Sequence, residues 1–214
     1  MNTLELVQGS EAWKQARLGR VTASRVAEVV ARTKTGWGAS RANLMAQLIA
    51  ERLTGEPQES YSNAAMQWGT DHEGDAIAAY SFRHDAEVTA VGFVQHPLIA
   101  MSGASPDGLI GGAGLVEIKA PLTATHIDTL LGEAVPGKYV TQIQWQLACT
   151  GRAWCDFASF DPRLPESMRL FVRRVERDDA LIAVLERDVR EFLGELDATV
   201  AELLAKYEPA REAA

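Results

Sequence analysis

The sequence predicts a mixed α/β (α+β) fold, with a mainly helical part over residues 1–84, a mixed sheet over 85–177 and a C-terminal helical part over 178–214. Three observations predict this order. Apolar residues recur at helical spacing up to His84, and β-branched residues alternate with other types after it. One amphipathic pattern then runs from Asp178 to about Tyr207. With 214 residues, 47% of them hydrophobic, the chain can build one core, so a single domain over residues 1–214 is expected.

The N-terminal part contains four predicted helices, each bounded by residues that start or stop a helix. Ser and Thr side chains cap helix N-termini, and Gly favours the left-handed position after a C-terminus. The helices are predicted from Ser10 to just before Gly19, from Thr22 or Ser24 to Arg32, from Ser40 to Leu53, and from Ala64 to Arg83. The segments RTKTGWGAS and EPQESYSN are predicted loops, and Trp37 in the first is the tryptophan most expected to be exposed.

The central part contains five predicted strands, because β-branched and aromatic residues cluster there between turn signals. The strands are predicted over EVTAVGFVQ, LIAMSGA, GLVEIKA, AWCDFASFD and MRLFVRRVE, which are residues 87–95, 98–104, 114–120, 153–161 and 168–176. Gly111 and Gly112 are expected to form the tight turn before the third strand. Pro121 ends that strand, and two connecting helices follow, one from about Thr123 and one over residues 139–150.

The charge distribution bears on what the protein binds. The net charge is −8, which by itself disfavours nucleic acid, because phosphate contacts need Lys and Arg. The charge is uneven, however. Residues 176–214 carry eleven acidic and five basic residues, a net of −6, whereas residues 1–53 carry four acidic and eight basic residues, a net of +4. The basic N-terminal quarter is therefore compatible with DNA binding, and equally with ordinary solvated helices.

No segment has the pattern of a signal peptide or of a membrane span, so a cytoplasmic protein that does not contact a membrane is expected. Cys149 and Cys155 lack the CxxC spacing or the His pair of a zinc site. They are expected to be buried free thiols in a reducing compartment.

The segment SPDGLIGGAGLVEIKAP contains the most informative residues. Glu117 and Lys119 are two apart on a predicted strand, so both point to one face. A hairpin through the glycine-rich turn would bring Asp107 beside Glu117. Two adjacent carboxylates repel each other and suit a hard cation such as Mg²⁺ or Mn²⁺, and a neighbouring Lys suits the hydrolysis of a phosphodiester. This spacing alone is also compatible with a hairpin that has one solvated face.

Two helices add candidate residues. In WGTDHEGDAIAAY, Glu73 shares a helical face with Ala76, Ile77 and Tyr80, where a carboxylate is costly unless it is paired or bound to a metal. In YVTQIQWQ, Tyr139, Gln142 and Gln146 lie on one face, where the amides can bond to a phosphate or to a metal-bound water.

Five blocks of sequence together carry a resemblance to a known family. They are SEAWKQARLGRVTASRV, MQWGTDHE, GASPDGLI, LVEIKAP and YVTQIQWQLACTGRAWCDFASFDPR, and the match in order and spacing holds from about residue 10 to 177. In order and spacing they resemble the phage lambda exonuclease, or YqaJ-type viral recombinase, family of the PD-(D/E)xK nuclease superfamily. The resemblance implies a restriction-endonuclease-like core.

The resemblance also implies an activity and its partners. It implies a Mg²⁺-dependent 5′→3′ exonuclease, with Mn²⁺ as an alternative metal, that digests one strand of linear duplex DNA and leaves a 3′ overhang for recombination. It further implies a homotrimeric ring around the DNA, a single-strand annealing partner, and a phage or prophage origin with function in the bacterial cytoplasm.

The resemblance assigns roles to individual residues. Asp107, Glu117 and the Ile118 backbone carbonyl would bind the metal, and Lys119 would serve the attacking water. Glu73 would complete or support the metal site, and Gln142 would sit beside it.

Arg17, Ser24 and Ser105 match positions that hold the 5′-terminal phosphate, which agrees with the bidentate anion contacts of a guanidinium. Where the family has an Arg after the K-x-P-x-T segment, this chain has Thr125 and His126, so His126 is a candidate phosphate contact with weaker, pH-dependent charge.

Met66 precedes the Trp68-Gly69 helix segment, and it is a candidate wedge against the terminal base pair or a core residue. Two alternative functions share the central motif. One is an endonuclease of the same superfamily, and the other is a catalytically silent DNA-binding module.

Overall fold

A computed structural model of the chain describes residues 5–58 and 64–207. The helices are α1 Glu11–Arg17, α2 Val26–Val29, α3 Ala39–Thr54, α4 Ala64–His84, α5 Thr123–Gly132, α6 Gly137–Thr150 and α7 Asp179–Tyr207. The strands are β1 Val21–Thr22, β2 Arg32–Thr33, β3 Gly36–Trp37, β4 Val88–Thr89, β5 Val94–Gln95, β6 Ser102–Ala104, β7 Gly108–Ile110, β8 Gly114–Lys119, β9 Trp154–Phe160 and β10 Leu170–Glu176. The predicted mixed α/β fold, with a helical start and a long C-terminal helix, is confirmed. The last part of the predicted C-terminal segment, residues 208–214, lies outside the described residues.

The main sheet has the strand order β10-β9-β8-β7-β4, and β8 and β9 are its parallel pair. The helices α5 and α6 form the crossover that a parallel connection requires. Val116 and Ile118 point to one face of β8 and pack with Tyr80 of α4. Leu115 points to the other face and packs with α6. Because both faces are covered, β8 is held at the centre of the fold, and the side chains at its C-terminal end have fixed positions.

A second packing centre joins the N-terminal helices to the C-terminal one. A small sheet with the order β1-β6-β5 lies beside it. Leu44 of α3, Trp145 of α6 and Phe192 of α7 are fully buried in this cluster. The α6 helix therefore contributes to both packing centres, with one side against the main sheet and another against the helices.

The structure corrects the predicted boundaries of two strands. The strand predicted over residues 87–95 is two short strands, β4 and β5, which belong to different sheets. The strand predicted over 98–104 is reduced to β6, and the hairpin partner of β8 is instead β7. An alternating apolar pattern indicates that a segment is extended and half-buried, but it does not indicate which sheet the segment joins.

The segment from Thr22 to Trp37 also differs from the prediction. The predicted second helix is a 3₁₀ turn over Ala23–Arg25 followed by the short α2. The predicted loop contains the hairpin β2–β3. Trp37 is half-buried there, because the guanidinium groups of Arg32 and Arg41 lie 3.7 and 4.2 Å from its ring centre. Cation–π stacking of this kind holds a short hairpin that sequence propensity does not predict.

Two further observations concern compartment. Both cysteines are buried free thiols, as predicted. In the parts of the chain that the structure describes, no helix combines the length and apolar character needed to cross a bilayer.

Candidate active site

The β7–β8 hairpin brings Asp107 beside Glu117, as the sequence predicts. Gly108 pairs with Val116 in this hairpin, so the residue before Gly108 lies opposite the residue after Val116. Gly111 has a φ of 49°, in the left-handed region that glycine adopts readily, and this allows the tight turn. Asp107 Oδ2 accepts a hydrogen bond from the Ile118 backbone N–H at 2.6 Å. The contact fixes the Asp107 carboxylate against the strand that carries Glu117.

Glu117 is fully buried and surrounded by donors. Its Oε1 atom accepts from the Lys119 ammonium and from Gln142 Nε2, the latter at 2.6 Å. Its Oε2 atom accepts from Gln146 Nε2 at 2.5 Å. Gln146 was not among the predicted catalytic or metal-binding residues, although it shares a predicted helical face with Gln142. The signal that identifies it is the spacing of four residues, which places both amides on adjacent turns of α6.

The two carboxylates and the lysine are electrostatically coupled. Burial and the neighbouring Glu117 carboxylate raise the pKa of Asp107 well above its ordinary value, and the Lys119 ammonium only partly opposes this. Burial disfavours the charged form of Lys119, but Glu117 and Asp107 outweigh burial and raise its pKa above the usual range. The negative charge of Asp107 and Glu117 is therefore only partly balanced by Lys119. Such an excess of negative charge favours the binding of a cation.

Glu73 lies at the edge of this group. Its backbone belongs to α4, whose buried residues Ala76 and Tyr80 anchor the helix to the sheet, while Glu73 itself is exposed. Although the residue as a whole is exposed, the surrounding protein partly desolvates its carboxyl and raises its pKa; the Lys119 ammonium lowers this pKa, and Glu117 raises it further. Glu73 is thus within electrostatic reach of the carboxylate pair without being packed against it.

The donor set fits a hard divalent cation. Within residues 5–58 and 64–207, no three side chains of His, Cys, Asp or Glu are grouped closely enough to hold a metal by themselves. The pair Asp107 and Glu117 supplies two carboxylates instead. Mg²⁺ is usually held by one or two carboxylates and completes its shell with water and substrate oxygens. Both carboxylates line one cavity, and this arrangement, together with the raised pKa of Asp107, favours a bound cation between them.

The three predicted phosphate-binding residues lie in the same cavity as the carboxylates. This cavity, which we call the nucleotide cavity, has a volume of about 160 Å³. Its lining includes Arg17, Ser24, Ser105, Asp107, Glu117, Lys119 and Gln142. Arg17 Nη1 donates to Ser105 Oγ at 3.1 Å, and its guanidinium lies 4.0 Å from the ring centre of Trp13. Trp13 Nε1 also donates to Ser105 Oγ, at 2.9 Å. Trp13 therefore positions both the arginine and the serine.

A second and larger depression opens on the other side of Lys119. It has a volume of about 400 Å³, and its lining includes Met66, Glu73, Lys119, Pro121 and Tyr139. We call it the duplex groove. Met66 is 53% exposed, so it is a surface residue and not part of the core. Lys119 lines both depressions and stands at the boundary between them.

The structure does not bring His126 to either depression, and the predicted phosphate contact is corrected. His126 is fully buried on α5. Its two ring nitrogens lie 2.7 Å from Ser159 Oγ and 2.8 Å from the Met168 carbonyl oxygen. Both nitrogens are engaged in joining α5 to the sheet, so none is available for a phosphate. Two other arginines could replace His126 as a phosphate contact. Arg152 donates to backbone carbonyls near the β7–β8 turn, whereas Arg20 lines the same small cavity as Arg17.

Comparison with solved structures gives close likeness to one enzyme. The chain is 53% identical to an alkaline exonuclease (LHK-Exo) from Laribacter hongkongensis, with a TM-score of 0.87 over 92% of this chain and 97% of that chain. The same values apply to that enzyme's complex with dAMP. A phage-related exonuclease from Haemophilus somnus 129PT shares the fold at 14% identity, with a TM-score of 0.70 over 86% of this chain and 96% of that one.

Two sequence comparisons identify a viral relative and a protein family. The uncharacterised protein R354 of Acanthamoeba polyphaga mimivirus is 33% identical over an alignment of 108 residues, which covers 44% of this chain. The aligned part is 20% of that viral protein, so this chain matches only about a fifth of its length. The family model of the YqaJ-like viral recombinase domain matches residues 12–153, which contain the carboxylate pair, the lysine and the α6 glutamines. The chain belongs to the YqaJ-like viral recombinase domain family.

Proposed function

We propose that the protein is a Mg²⁺-dependent 5′→3′ exonuclease. It hydrolyses one strand of linear double-stranded DNA from a 5′-phosphorylated end and leaves a 3′ single-stranded overhang. The observation that carries the proposal is the nucleotide cavity, which is lined by the carboxylates Asp107 and Glu117 and also by Arg17 and Ser105. A small cavity that combines an anion site with the carboxylate pair suits a terminal 5′ phosphate, and it therefore favours an enzyme that works from a strand end.

Asp107, Glu117 and the Ile118 carbonyl would hold Mg²⁺, or Mn²⁺ in its place. When bound, such a metal polarises a phosphoryl oxygen and lowers the pKa of a water molecule. Gln142 and Gln146 donate to the two oxygens of Glu117 and hold its carboxylate in one orientation. Such supporting hydrogen bonds fix the geometry of a metal ligand and tune its basicity.

Lys119 lies at the boundary between the two depressions, with its ammonium bonded to Glu117 Oε1. From there it orients the attacking water and opposes the negative charge that develops on the phosphorus. Glu73 lines the duplex groove from the α4 side and supports the metal site through its charge. In the reaction, water adds to phosphorus and the bond from phosphorus to the 3′ oxygen breaks, so the released nucleotide gains a free 3′ hydroxyl.

The remaining strand keeps the phosphate on its new 5′ terminus. Each cycle therefore regenerates the group that Arg17, Ser24 and Ser105 bind. The fork of Arg17 suits two phosphate oxygens, and Ser24 lies in the 3₁₀ turn ahead of α2. Repeated use of one anion site is the physical basis for successive removal of nucleotides without release of the DNA.

Met66 is placed to separate the strands. It is half exposed at the rim of the duplex groove, on the other side of Lys119 from the phosphate residues. A linear apolar side chain there can press against the terminal base pair, as apolar wedges do elsewhere when they unstack a base step. The paired DNA would occupy the duplex groove and the terminal nucleotide would occupy the nucleotide cavity.

The comparisons support this proposal in two respects. The Laribacter hongkongensis relative is an alkaline exonuclease, and its crystals include a complex with dAMP. A deoxynucleoside 5′-monophosphate is the product class that a 5′→3′ exonuclease releases. We infer the same substrate and product classes for this chain, which covers 97% of that enzyme's length.

We also propose how the protein acts in the cell. The chain is of phage or prophage origin, forms one nuclease domain and assembles as a homotrimeric ring around DNA. It works in the bacterial cytoplasm with a single-strand annealing protein. A ring explains how a protein with a net charge of −8 retains DNA, because topology replaces affinity. Sedimentation at several concentrations tests the ring, and a monomeric mass would contradict it.

The experiment that tests the activity compares linear and closed circular duplexes in the presence of Mg²⁺. The linear duplex is supplied with 5′-phosphate or 5′-hydroxyl ends, and each strand carries a different label. We expect release of mononucleotides from the 5′ label first, faster with the phosphate, and no cleavage of the circle. Cleavage of the circle at a comparable rate would show an endonuclease and overturn the proposal.

A further inference from the structure

A second small cavity adjoins the nucleotide cavity behind Arg17. It has a volume of about 130 Å³, and we call it the arginine cavity. Its lining contains three guanidinium groups, those of Arg17, Arg20 and Arg25. Arg17 and Ser24 line both cavities, so the two spaces are neighbours that share one wall. The roles proposed for the residues of the nucleotide cavity give the arginine cavity no function.

The charges around the arginine cavity are not balanced. Arg25 is neutralised by Glu28 through paired hydrogen bonds. Arg17 and Arg20 have no ion pair with a carboxylate among the described residues. Arg17 bonds to the Ser105 hydroxyl, and Arg20 bonds to the Ala100 carbonyl. Burial and the positive charge of a neighbouring arginine lower the pKa of both groups, that of Arg17 to about 10.

One carboxylate does line the arginine cavity, and its oxygens are already occupied. Glu51 Oε2 accepts from the Gly19 backbone N–H at 2.9 Å, and Oε1 accepts from Gln47 Nε2 at 3.0 Å. Both bonds draw the carboxylate towards α3 and the chain before β1. These donors are neutral and leave the Glu51 charge in place, so three guanidinium groups stand against the two carboxylates of Glu28 and Glu51. The surplus of one positive charge favours a bound anion, for the same reason that paired carboxylates favour a cation.

We propose that the arginine cavity is a subsite for a second phosphoryl group, the β-phosphate of a 5′-polyphosphorylated DNA end. This rests on the proposed function, which places the first 5′ phosphate against Arg17. Because Arg17 lines both cavities, the two anions that they would hold are adjacent, as the linked phosphates of a polyphosphate are. The next phosphodiester of the DNA strand is separated from the 5′ phosphate by a sugar, so it suits the arginine cavity less well than a β-phosphate does. The planar fork of Arg17 bridges the two phosphates, and Arg20 contacts the outer one.

The subsite implies an additional reaction. On a 5′-triphosphorylated duplex, water would add to the same phosphodiester phosphorus, and the same bond to the 3′ oxygen would break. The polyphosphate is not cut, so the first product released is a deoxynucleoside 5′-triphosphate. Every later cycle releases a monophosphate, because the new terminus carries a single phosphate.

Binding of dADP and dAMP to the whole protein in EDTA, measured by calorimetry, tests the subsite without catalysis or metal chelation. We expect wild type to bind dADP about tenfold more tightly than dAMP, since the extra phosphate gains charge-assisted contacts. Arg20→Gln removes the charge but keeps a donor for the Ala100 carbonyl, and it should reduce the preference to about twofold or less. Lys14→Ala is the matched control, because it removes one charge from an exposed residue that is paired with Glu11. This control should keep the wild-type preference.

Equal affinity of wild type for dADP and dAMP would overturn the subsite, and so would an equal loss of preference in Lys14→Ala. A second measurement follows the first product from 5′-triphosphorylated duplex in Mg²⁺. Release of a triphosphate by wild type, slowed in Arg20→Gln, supports the subsite, and failure to digest this end overturns it. Digestion of a 5′-monophosphorylated duplex tests the proposed function separately. Failure of the subsite can therefore be distinguished from failure of the exonuclease activity.

Discussion

Arg17 donates a hydrogen bond to Ser105 across 3.1 Å, although 88 residues separate them in the chain. Ser105 is two residues before Asp107, the carboxylate that accepts from the Ile118 N–H. The contact therefore connects α1 to the chain segment that carries Asp107, beside Glu117. It sets a fixed spacing between the proposed phosphate site and the proposed metal site, and that spacing suits an enzyme that cuts at a set distance from a strand end.

Replacing Arg17 with Ala should remove the preference for 5′-phosphorylated ends. Wild type is expected to digest a 5′-phosphorylated duplex faster than a 5′-hydroxyl duplex, and the variant should treat both ends within about twofold, because the charge-assisted contact is lost. Initial rates of nucleotide release measure the ratio. Lys14→Ala, on the same helix but exposed, is the control and should keep the wild-type ratio. An unchanged ratio in Arg17→Ala would place the 5′ phosphate elsewhere.

Asp107→Asn should abolish activity and at the same time stabilise the metal-free protein. We expect nucleotide release to fall by about a hundredfold or more, since one of two carboxylate ligands is lost. In EDTA the melting temperature should rise, because the substitution removes a charge that burial and Glu117 disfavour. Added Mg²⁺ should raise the melting temperature of wild type and not of the variant. A variant that retains full activity would show that Asp107 is not a ligand.

The raised pKa of Asp107 predicts the sign of a pH effect on stability. Between the unfolded pKa of about 3.9 and the raised folded pKa, the folded state holds a proton that the unfolded state has lost. The contribution of Asp107 to the free energy of unfolding therefore decreases as pH rises through this interval. Thermal melts of wild type and Asp107→Asn in EDTA, at several pH values from 4 upwards, measure the difference. If the melting temperature of Asp107→Asn exceeded that of wild type by less as the pH rises, the raised pKa of Asp107 would be contradicted.

Gln146→Leu should lower activity by about tenfold to a hundredfold, in the range that loss of a supporting hydrogen bond to a metal ligand typically costs. The buried amide donates to Glu117 Oε2, and leucine of similar size leaves that oxygen without its donor. Gln144→Ala is the control on the same helix. Gln144 is equally buried, but it bonds to the Glu176 carbonyl and the Asp178 N–H. It should cost stability and leave activity per folded molecule unchanged. Equal losses of activity in both variants would mean that α6 acts only as a structural element.

Lys119→Gln should reduce the rate of the chemical step without weakening DNA binding. The side chain keeps a donor for Glu117 but loses the charge that opposes the developing negative charge on phosphorus, which is worth about a hundredfold or more at comparable sites. Single-turnover rates and duplex affinity, measured separately with the Asp107→Asn variant as a second inactive reference, distinguish the two effects. A loss confined to affinity would assign Lys119 to binding only.

Local pattern was sufficient to predict much of the catalytic strand. The period-two alternation of a strand put Glu117 and Lys119 on one face, and Gly111 supplied a turn that returns Asp107 to Glu117. The helix ends that glycines mark, at Gly55 and Gly151, also agree with the structure. These features depend on interactions between residues that are close in sequence, so the local sequence is enough to predict them.

The sequence by itself determined the mixed α/β class, the succession of a helical part, a sheet and a C-terminal helix, the family and the carboxylate pair, because each depends on local periodicity or on a motif of contiguous residues. Only the tertiary structure decided that β6 and β7 belong to different sheets and that Trp13 positions Arg17 against Ser105. It also decided that His126 joins α5 to the sheet instead of facing the site. Those outcomes depend on which distant surfaces pack together, and the free energy of that packing is distributed over the whole core rather than encoded in any one segment.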